Sequence, residues 1–396
     1  MNVLPVLSLG FGLGLAACTV PPAATEPVRP VTRTAGTLLS STPLDGALSV
    51  PDAGRAFAIT YLATDGVTGA GLVPVTGEVL YPDGPAPAGG WPIVAWAHGT
   101  VGIADACAPS RNAHSGRDKT YLGAWLKRGF AIVATDYQGL GGEGTHAYLN
   151  TRVEAYSVLD AARAALTGLP ALRDAVMIVG QSQGAGAAFA AAAYAPTYAP
   201  TLDIRGTVAT GIPYFTPQIA RALMTSAVNA PSGRGVDPML GYLLLIGASR
   251  AGIDPSFDPA TVFTPRAMSA VETASKECLK GVVDKAEADG LTPRNALKPG
   301  ALDALAPALG TMTFPTLRLS APLFVGTGTA DRDVSPLGQA ALVHDACAAG
   351  TVVQAHLYKG QDHSQTVLAS LPDSAAFTNA VMSGRSVAPA CAPVPK

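Results

Sequence analysis

The sequence predicts an α/β fold: a mostly parallel sheet, helices on both faces, and a helical segment inserted late in the chain. Three observations carry this. Short apolar runs alternate with helical stretches through the first half of the chain. The runs are apolar at nearly every residue rather than at every second one, as strands buried on both faces require. Finally, the rhythm lapses between Pro213 and about Pro315, where helical fragments broken by Pro and Gly replace it, and then returns.

Taken in order, Ala56 to Leu62 and Val75 to Tyr81 read as a strand pair joined by a Gly-rich turn. Trp91 to Ala97 is a buried strand running into His98-Gly99-Thr100. A helix is expected from Tyr121 to Arg128, a strand from Phe130 to Asp136, and a helix from Arg152 to Leu166 with apolar spacing at Val153, Tyr156, Leu159 and Ala162. Ala175 to Val179 is a strand, Ala185 to Ala195 an alanine-rich helix, and Ile204 to Thr210 a further strand. The inserted segment offers helices at Ile219–Val228, Met239–Gly247, Ala267–Asp289 and Ala301–Leu309. Beyond it, Pro322 to Gly326 and Val352 to Tyr358 read as strands, with helices over Pro336–Ala348 and near Ser374–Met382. The expected domains are a core of residues 42–212 and 316–396 and a cap of residues 213–315.

The chain has 396 residues, 14% charged and 48% hydrophobic, with a formal net charge of −2. No basic run could track a phosphate backbone, which argues against nucleic acid as a partner. Leu4 to Ala17 is an apolar segment too short to span a bilayer and ends in Leu15-Ala16-Ala17-Cys18. Residues 1–18 therefore read as an export signal whose end resembles a bacterial lipobox, with Cys18 the lipidation site; an ordinary secretory signal is the alternative. Residues 19–41, with Pro21, Pro22, Pro27 and Pro30, read as an extended tether. Export leaves Cys107, Cys278, Cys347 and Cys391, an even count that suggests two disulfides with three possible pairings. No Cys or His cluster has metal-ligand spacing, so no metal or cofactor is expected.

Gly180-Gln181-Ser182-Gln183-Gly184 lies between the strand at Ala175–Val179 and the alanine-rich helix. Strand, tight turn and helix form the setting in which G-x-S-x-G acts as a nucleophile elbow. The turn lifts the Ser182 hydroxyl clear of the sheet and aims the Gln183 N–H at a developing oxyanion. A serine needs a base to take its proton, and that base needs an acid to hold its tautomer. In α/β-hydrolases they follow in the order Ser, acid, His from loops after successive strands. The loop from Gly326 to Val334 supplies Asp331, with Asp333 the alternative acid, and Gly360-Gln-Asp-His363 supplies the histidine. His344 and His356 fall inside an expected helix and strand. Thr100 is the expected second oxyanion N–H, and His98 is expected to brace its loop.

His98-Gly-Thr, Asp105-Ala-Cys107-Ala-Pro-Ser, Thr135-Asp-Tyr-Gln-Gly-Leu-Gly141, Thr145-His-Ala-Tyr-Leu149, Ser157-Val-Leu-Asp-Ala-Ala-Arg163 and the Ser182 pentapeptide together resemble the secretory lipase family, typified by fungal lipase A enzymes. The resemblance runs from about residue 40 to the C-terminus and is weakest in the cap. It implies an α/β-hydrolase with a helical cap acting on carboxylic esters, including acylglycerols. It also implies a triad of Ser182, Asp331 and His363 and the pairings Cys107–Cys278 and Cys347–Cys391. The lipobox-like end departs from a freely secreted lipase, and the divergent cap leaves substrate length open. The apolar cap stretches Pro238–Gly247 and Ala301–Leu309 either bind an acyl chain or pack the cap's own interior. A prolyl-type peptidase, an acyltransferase and a non-catalytic envelope lipoprotein are the rival readings.

Overall fold

A computed structural model describes residues 1–2, 4, 33–229 and 238–396. Among the described residues there are ten strands, most of them runs of β-branched and small apolar residues: β1 (Leu38–Pro43), β2 (Ala53–Thr64), β3 (Leu72–Pro82), β4 (Trp91–Ala97), β5 (Ala131–Thr135), β6 (Leu172–Gln181), β7 (Ile204–Thr210), β8 (Leu323–Gly328), β9 (Val353–Tyr358) and β10 (Ala390–Pro395). They lie in one sheet in the order β1-β2-β3-β5-β4-β6-β7-β8-β9-β10. Pairing is antiparallel from β1 through β3 to β5 and parallel from β5 onward.

The helices are α1 (Gly116–Lys127), α2 (Thr151–Gly168), α3 (Gln183–Tyr198), α4 (Pro217–Asn229), α5 (Pro238–Ile253), α6 (Met268–Ala274), α7 (Leu279–Ala288), α8 (Pro293–Ala296), α9 (Ala301–Thr311), α10 (Pro336–Ala348), α11 (Gln365–Ala369) and α12 (Leu371–Met382). The all-apolar strands are explained by what covers them. Ile93, Ala95, Val176 and Ile178 face α2, α3 and α10, while Val94, Trp96, Met177 and Val179 face Trp125 of α1 and Phe377 of α12. Alternate residues thus enter two separate cores, and neither face is left to water. The alanines of α3 are buried throughout, which lets this helix lie close under the sheet.

Three expectations need adjustment. The tether expected through residue 41 gives way to β1 at Leu38, because Leu38–Pro43 hydrogen-bonds along β2; a Ser- and Thr-rich edge strand has no apolar alternation to announce it. The helix expected over Ala267–Asp289 is two helices, α6 and α7, interrupted where Cys278 is drawn into a disulfide. The Pro-rich tail contributes β10 at the opposite sheet edge, where a proline's missing N–H costs no ladder bond. Cys18 and most of the tether lie outside the described residues. Both disulfides, Cys107–Cys278 and Cys347–Cys391, are formed. No helix among the described residues is long and apolar enough to cross a membrane.

Between β7 and β8 the described residues are helical, from α4 to α9. They close a core of their own around Leu240, Leu244, Phe263, Val282 and Leu305. Residues 34–396 form one compact unit, so this insertion is not a separate body.

Candidate active site

The site is assembled at the carboxyl ends of β4, β6, β8 and β9. Ser182 follows β6 directly and has φ +58° and ψ −125°, a conformation that non-glycine residues adopt only when their surroundings force it. Those surroundings are crowded: a Cβ on Gly180 would run into the Gly184 carbonyl, and one on Gly184 into the Ala97 carbonyl of β4. Both glycines of the pentapeptide are therefore required by close packing. Ser182 accepts the first helical bonds of α3 from Ala185 and Gly186, so the N–H groups of Gln183 and Gly184 precede them and point out of the helix end.

His363 sits in the loop after β9, 8% exposed, and its Nδ1 donates to Asp331 Oδ2 at 2.8 Å. That bond leaves the lone pair on Nε2. Asp331, after β8, is fixed from behind: its Oδ1 accepts from the N–H groups of Asp333 (3.0 Å) and Val334 (2.9 Å), and its Oδ2 from Gln339 Nε2 (3.1 Å). Asp333 points elsewhere and accepts from the Tyr242 hydroxyl of α5 at 2.6 Å. Gly211, with φ +63°, is pressed against this pair; a Cβ there would lie 2.5 Å from His363 Cε1. His344 is in α10 and His356 in β9, away from the constellation.

Ser182 and His363 line one cavity, yet among the described residues the serine hydroxyl makes no hydrogen bond. The Nε2 of His363 instead accepts from Gln181 Nε2 at 2.9 Å. Gly99 makes room for that amide, since a Cβ there would come within 2.5 Å of Gln181 Oε1. The residue before the serine thus occupies the lone pair that a serine proton would need. Sequence reading missed this contact because the two residues are 182 positions apart.

Thr100 borders both cavities that meet at Ser182, and its hydroxyl is bonded to the Tyr148 hydroxyl at 2.7 Å. His98 braces its loop as expected: Nδ1 lies 2.7 Å from the Gly99 carbonyl, and burial holds its pKa down. Its Nε2 lies 3.3 Å from the Asp136 carbonyl, and the Asp136 carboxylate is itself held by Ser110 N–H at 2.9 Å and Thr76 Oγ1 at 2.6 Å.

A second group that sequence reading missed supports Gln183. Its side-chain amide turns inward and donates to Glu154 Oε1 (2.8 Å) and His146 Nε2 (3.1 Å). Glu154 also accepts from Leu149 N–H at 3.0 Å, while His146 Nδ1 reaches the Gln138 carbonyl at 3.1 Å. Burial raises Glu154 to about 8 and lowers His146 to about 4, so both are neutral near pH 7. A lone Glu in the buried face of α2 was the available signal.

Asp331, Asp333 and His363 are close enough for one oxygen or nitrogen of each to share an ion. Two of those ligand atoms are already bonded to one another and Asp333 to Tyr242, which makes a hydrogen-bonded relay the better description.

Two cavities flank Ser182. One, of about 90 Å³, is apolar and lies under the insertion between Leu223, Met239, Leu243, Ile246, Leu305 and Leu309. The other, of about 510 Å³, has a mixed lining that includes Glu78, Asn112, His114 and Asp118, and it opens toward α1. Leu240 and Leu244 of the apolar stretch Pro238–Gly247 pack the insertion's core, Leu243 and Ile246 belong to that core and also line the cavity, and Met239 and Tyr242 join them on the cavity wall.

A profile of the secretory lipase family matches residues 108–228. The resemblance read from the motifs holds. Among solved structures, Candida antarctica lipase A in its closed state aligns with TM-score 0.71 and 20% identity, over 92% of this chain and 86% of that one. The rice cell wall degrading esterase LipA from Xanthomonas oryzae, in a ligand-bound form, aligns with TM-score 0.68 and 20% identity, over 89% and 100%. A putative hydrolase from Legionella pneumophila aligns with TM-score 0.68 and 20% identity, over 88% and 99%. The fold is that of the α/β-hydrolases. No curated protein matches the chain.

Proposed function

We propose that this protein is a serine carboxylic-ester hydrolase that cleaves lipid-like acyl esters, acylglycerols among them, through an acyl-enzyme. The observation that carries the reading is the 2.8 Å bond from His363 Nδ1 to Asp331 Oδ2, beside a serine held at φ +58° in the same cavity. Asp331 selects the tautomer with Nε2 free to act as a base. Once the Gln181 amide turns aside, Nε2 takes the Ser182 proton as Oγ bonds to the ester carbonyl carbon. The Gln183 and Thr100 N–H groups stabilise the oxyanion. The carbon–alkoxy bond breaks, the proton passes from His363 to the leaving alcohol, and water attacks the acyl-enzyme with the same base. The seating of Gln183 on Glu154 and His146 keeps its N–H aimed at that oxyanion.

The name of each lipase or esterase neighbour agrees with this chemistry, and the apolar cavity under the insertion suits an acyl chain. In this reading residues 213–315 act as a cap over the site. Two disulfides suit an oxidising compartment, consistent with export by the N-terminal segment and anchoring through lipidated Cys18. Release of Cys18→Ala into the medium tests the anchor. The function is tested with p-nitrophenyl esters from acetyl to palmitoyl, comparing wild type with Ser182→Ala. Hydrolysis lost in the variant is expected; equal rates would remove the nucleophile, and activity confined to the shortest chains would make the enzyme an esterase without lipase action.

A further inference from the structure

The proposed reaction leaves one large feature unused, the cavity of about 510 Å³ and mixed lining on the other side of Ser182. Which half of an ester enters it follows from proton bookkeeping. His363 must deliver a proton to the leaving oxygen, so the alcohol lies on the side that the imidazole faces. His363 borders the larger, mixed cavity and not the apolar one, whereas Gln183 borders only the apolar one. The acyl chain therefore runs under the insertion and the alcohol projects toward α1.

The wall facing that alcohol is built to bind hydroxyls. Asn112, His114, Asp118 and Ser364 line it, together with Glu78, whose carboxylate is 1% exposed. Glu78 Oε1 meets His114 Nε2 at 2.8 Å, but neither carboxylate oxygen has a directed hydrogen bond among the described residues. His114 offsets the charge at Oε1, which leaves Oε2 without a partner among the described residues, and a buried carboxylate oxygen left so is costly unless something donates to it. β3 carries Glu78 in register with Ala134 of β5, and the loop before α1 brings His114 over it, so the arrangement is part of the scaffold.

We propose that this cavity seats the alcohol half of the substrate and takes a polyhydroxylated alcohol, a free hydroxyl of which donates to Glu78. The inference rests on the ester-hydrolase reading. It makes the natural substrate an acyl ester that retains free hydroxyls, such as a monoacylglycerol or an acylated sugar, rather than a fully esterified or simple alkyl ester.

The test fixes the acyl group and varies the alcohol: 1-monooctanoylglycerol and 6-O-octanoylglucose against methyl octanoate, followed by pH-stat. Wild type should favour the polyol esters in kcat/KM by at least about tenfold, the loss expected when a charge-assisted hydrogen bond is removed. In Glu78→Gln the ratio of polyol to methyl ester should fall about tenfold. Ala113→Trp, at an exposed position on the cavity wall, should lower the same ratio by filling the space, and it decides the matter should the buried variant misfold. A wild-type preference for the methyl ester, or a ratio that moves in neither variant, overturns the assignment of the cavity. Undiminished hydrolysis by Ser182→Ala would instead overturn the ester-hydrolase reading beneath it.

Discussion

The strand ends of the core and the helical insertion approach Ser182 from opposite sides and are held by different forces. On the core side much of the grip comes from backbone. Ser182 N–H is tied to the Thr210 carbonyl, Asp331 is gripped by two N–H groups, and Gly180, Gly184 and Gly211 sit where no Cβ fits. The insertion meets the site with apolar side chains and a few polar ties, chiefly Tyr242 to Asp333 and Ser249 to the backbone of residues 146 and 148. In the proposed reaction the strand ends supply the chemistry and the apolar side chains of the insertion select the acyl chain. Substitutions in the Ser182–His363–Asp331 group should thus change rate for every ester, whereas substitutions along the apolar cavity should change selectivity for the acyl chain.

The largest expected effect breaks the core relay. Asp331→Asn should lower kcat on p-nitrophenyl butyrate about 10³–10⁴-fold, because the amide no longer enforces the Nδ1–H tautomer. Asp333→Asn should cost only a few-fold, since its partner is Tyr242. Equal losses would remove the distinction between the two carboxylates.

Next is the covalent tie between the regions. Cys107–Cys278 closes 171 residues and joins the loop after β4 to the insertion. Removing it by the double Cys→Ser variant should lower the unfolding free energy read from urea titration by up to about 5 kcal/mol if chain entropy governs. Cys347–Cys391 closes 44 residues and should be worth about 4 kcal/mol on the same basis. A larger loss of activity than of stability is expected only for the first.

Selectivity is a smaller effect. Leu223→Trp narrows the apolar cavity and should lower the palmitoyl-to-acetyl ratio of kcat/KM about tenfold, as each lost methylene contact costs about 1 kcal/mol. A uniform fall across chain lengths would place the acyl group elsewhere.

The smallest effect is a slope. Glu154 carries its proton in the folded state up to about 8, well above the ordinary carboxylate range of an unfolded chain. Stability from this group is therefore whole below about pH 4.5, falls as pH rises toward 8, and levels off beyond. Glu154→Gln keeps an acceptor for Leu149 N–H and the Gln183 amide but cannot ionise. It should flatten the fall in urea midpoint between pH 5 and 8. An unchanged slope would detach Glu154 from the titration.

What could be read from sequence follows the same division. Gly180, Ser182 and Gly184 are neighbours in the chain, and the order Ser182, Asp331, His363 reflects strand order, so local signals sufficed. The disulfide pairings came from the resemblance, and both are formed. The contacts of Gln181 with His363, of Gln183 with Glu154, and of Glu78 with His114 exist only once the sheet brings distant loops together, and no local pattern carries them. Strands β1 and β10 escaped because edge strands rich in Ser, Thr and Pro lack the apolar runs that marked the centre.

A nucleophilic Ser182 oxygen attacks the phosphorus of a fluorophosphonate and expels fluoride, and mass spectrometry reads the phosphonylated serine that results. After treatment with a fluorophosphonate the wild-type protein should gain one adduct, carried by the peptide that contains Ser182 and missing from Ser182→Ala. An adduct on another residue, or an active enzyme that takes up none, would contradict the account.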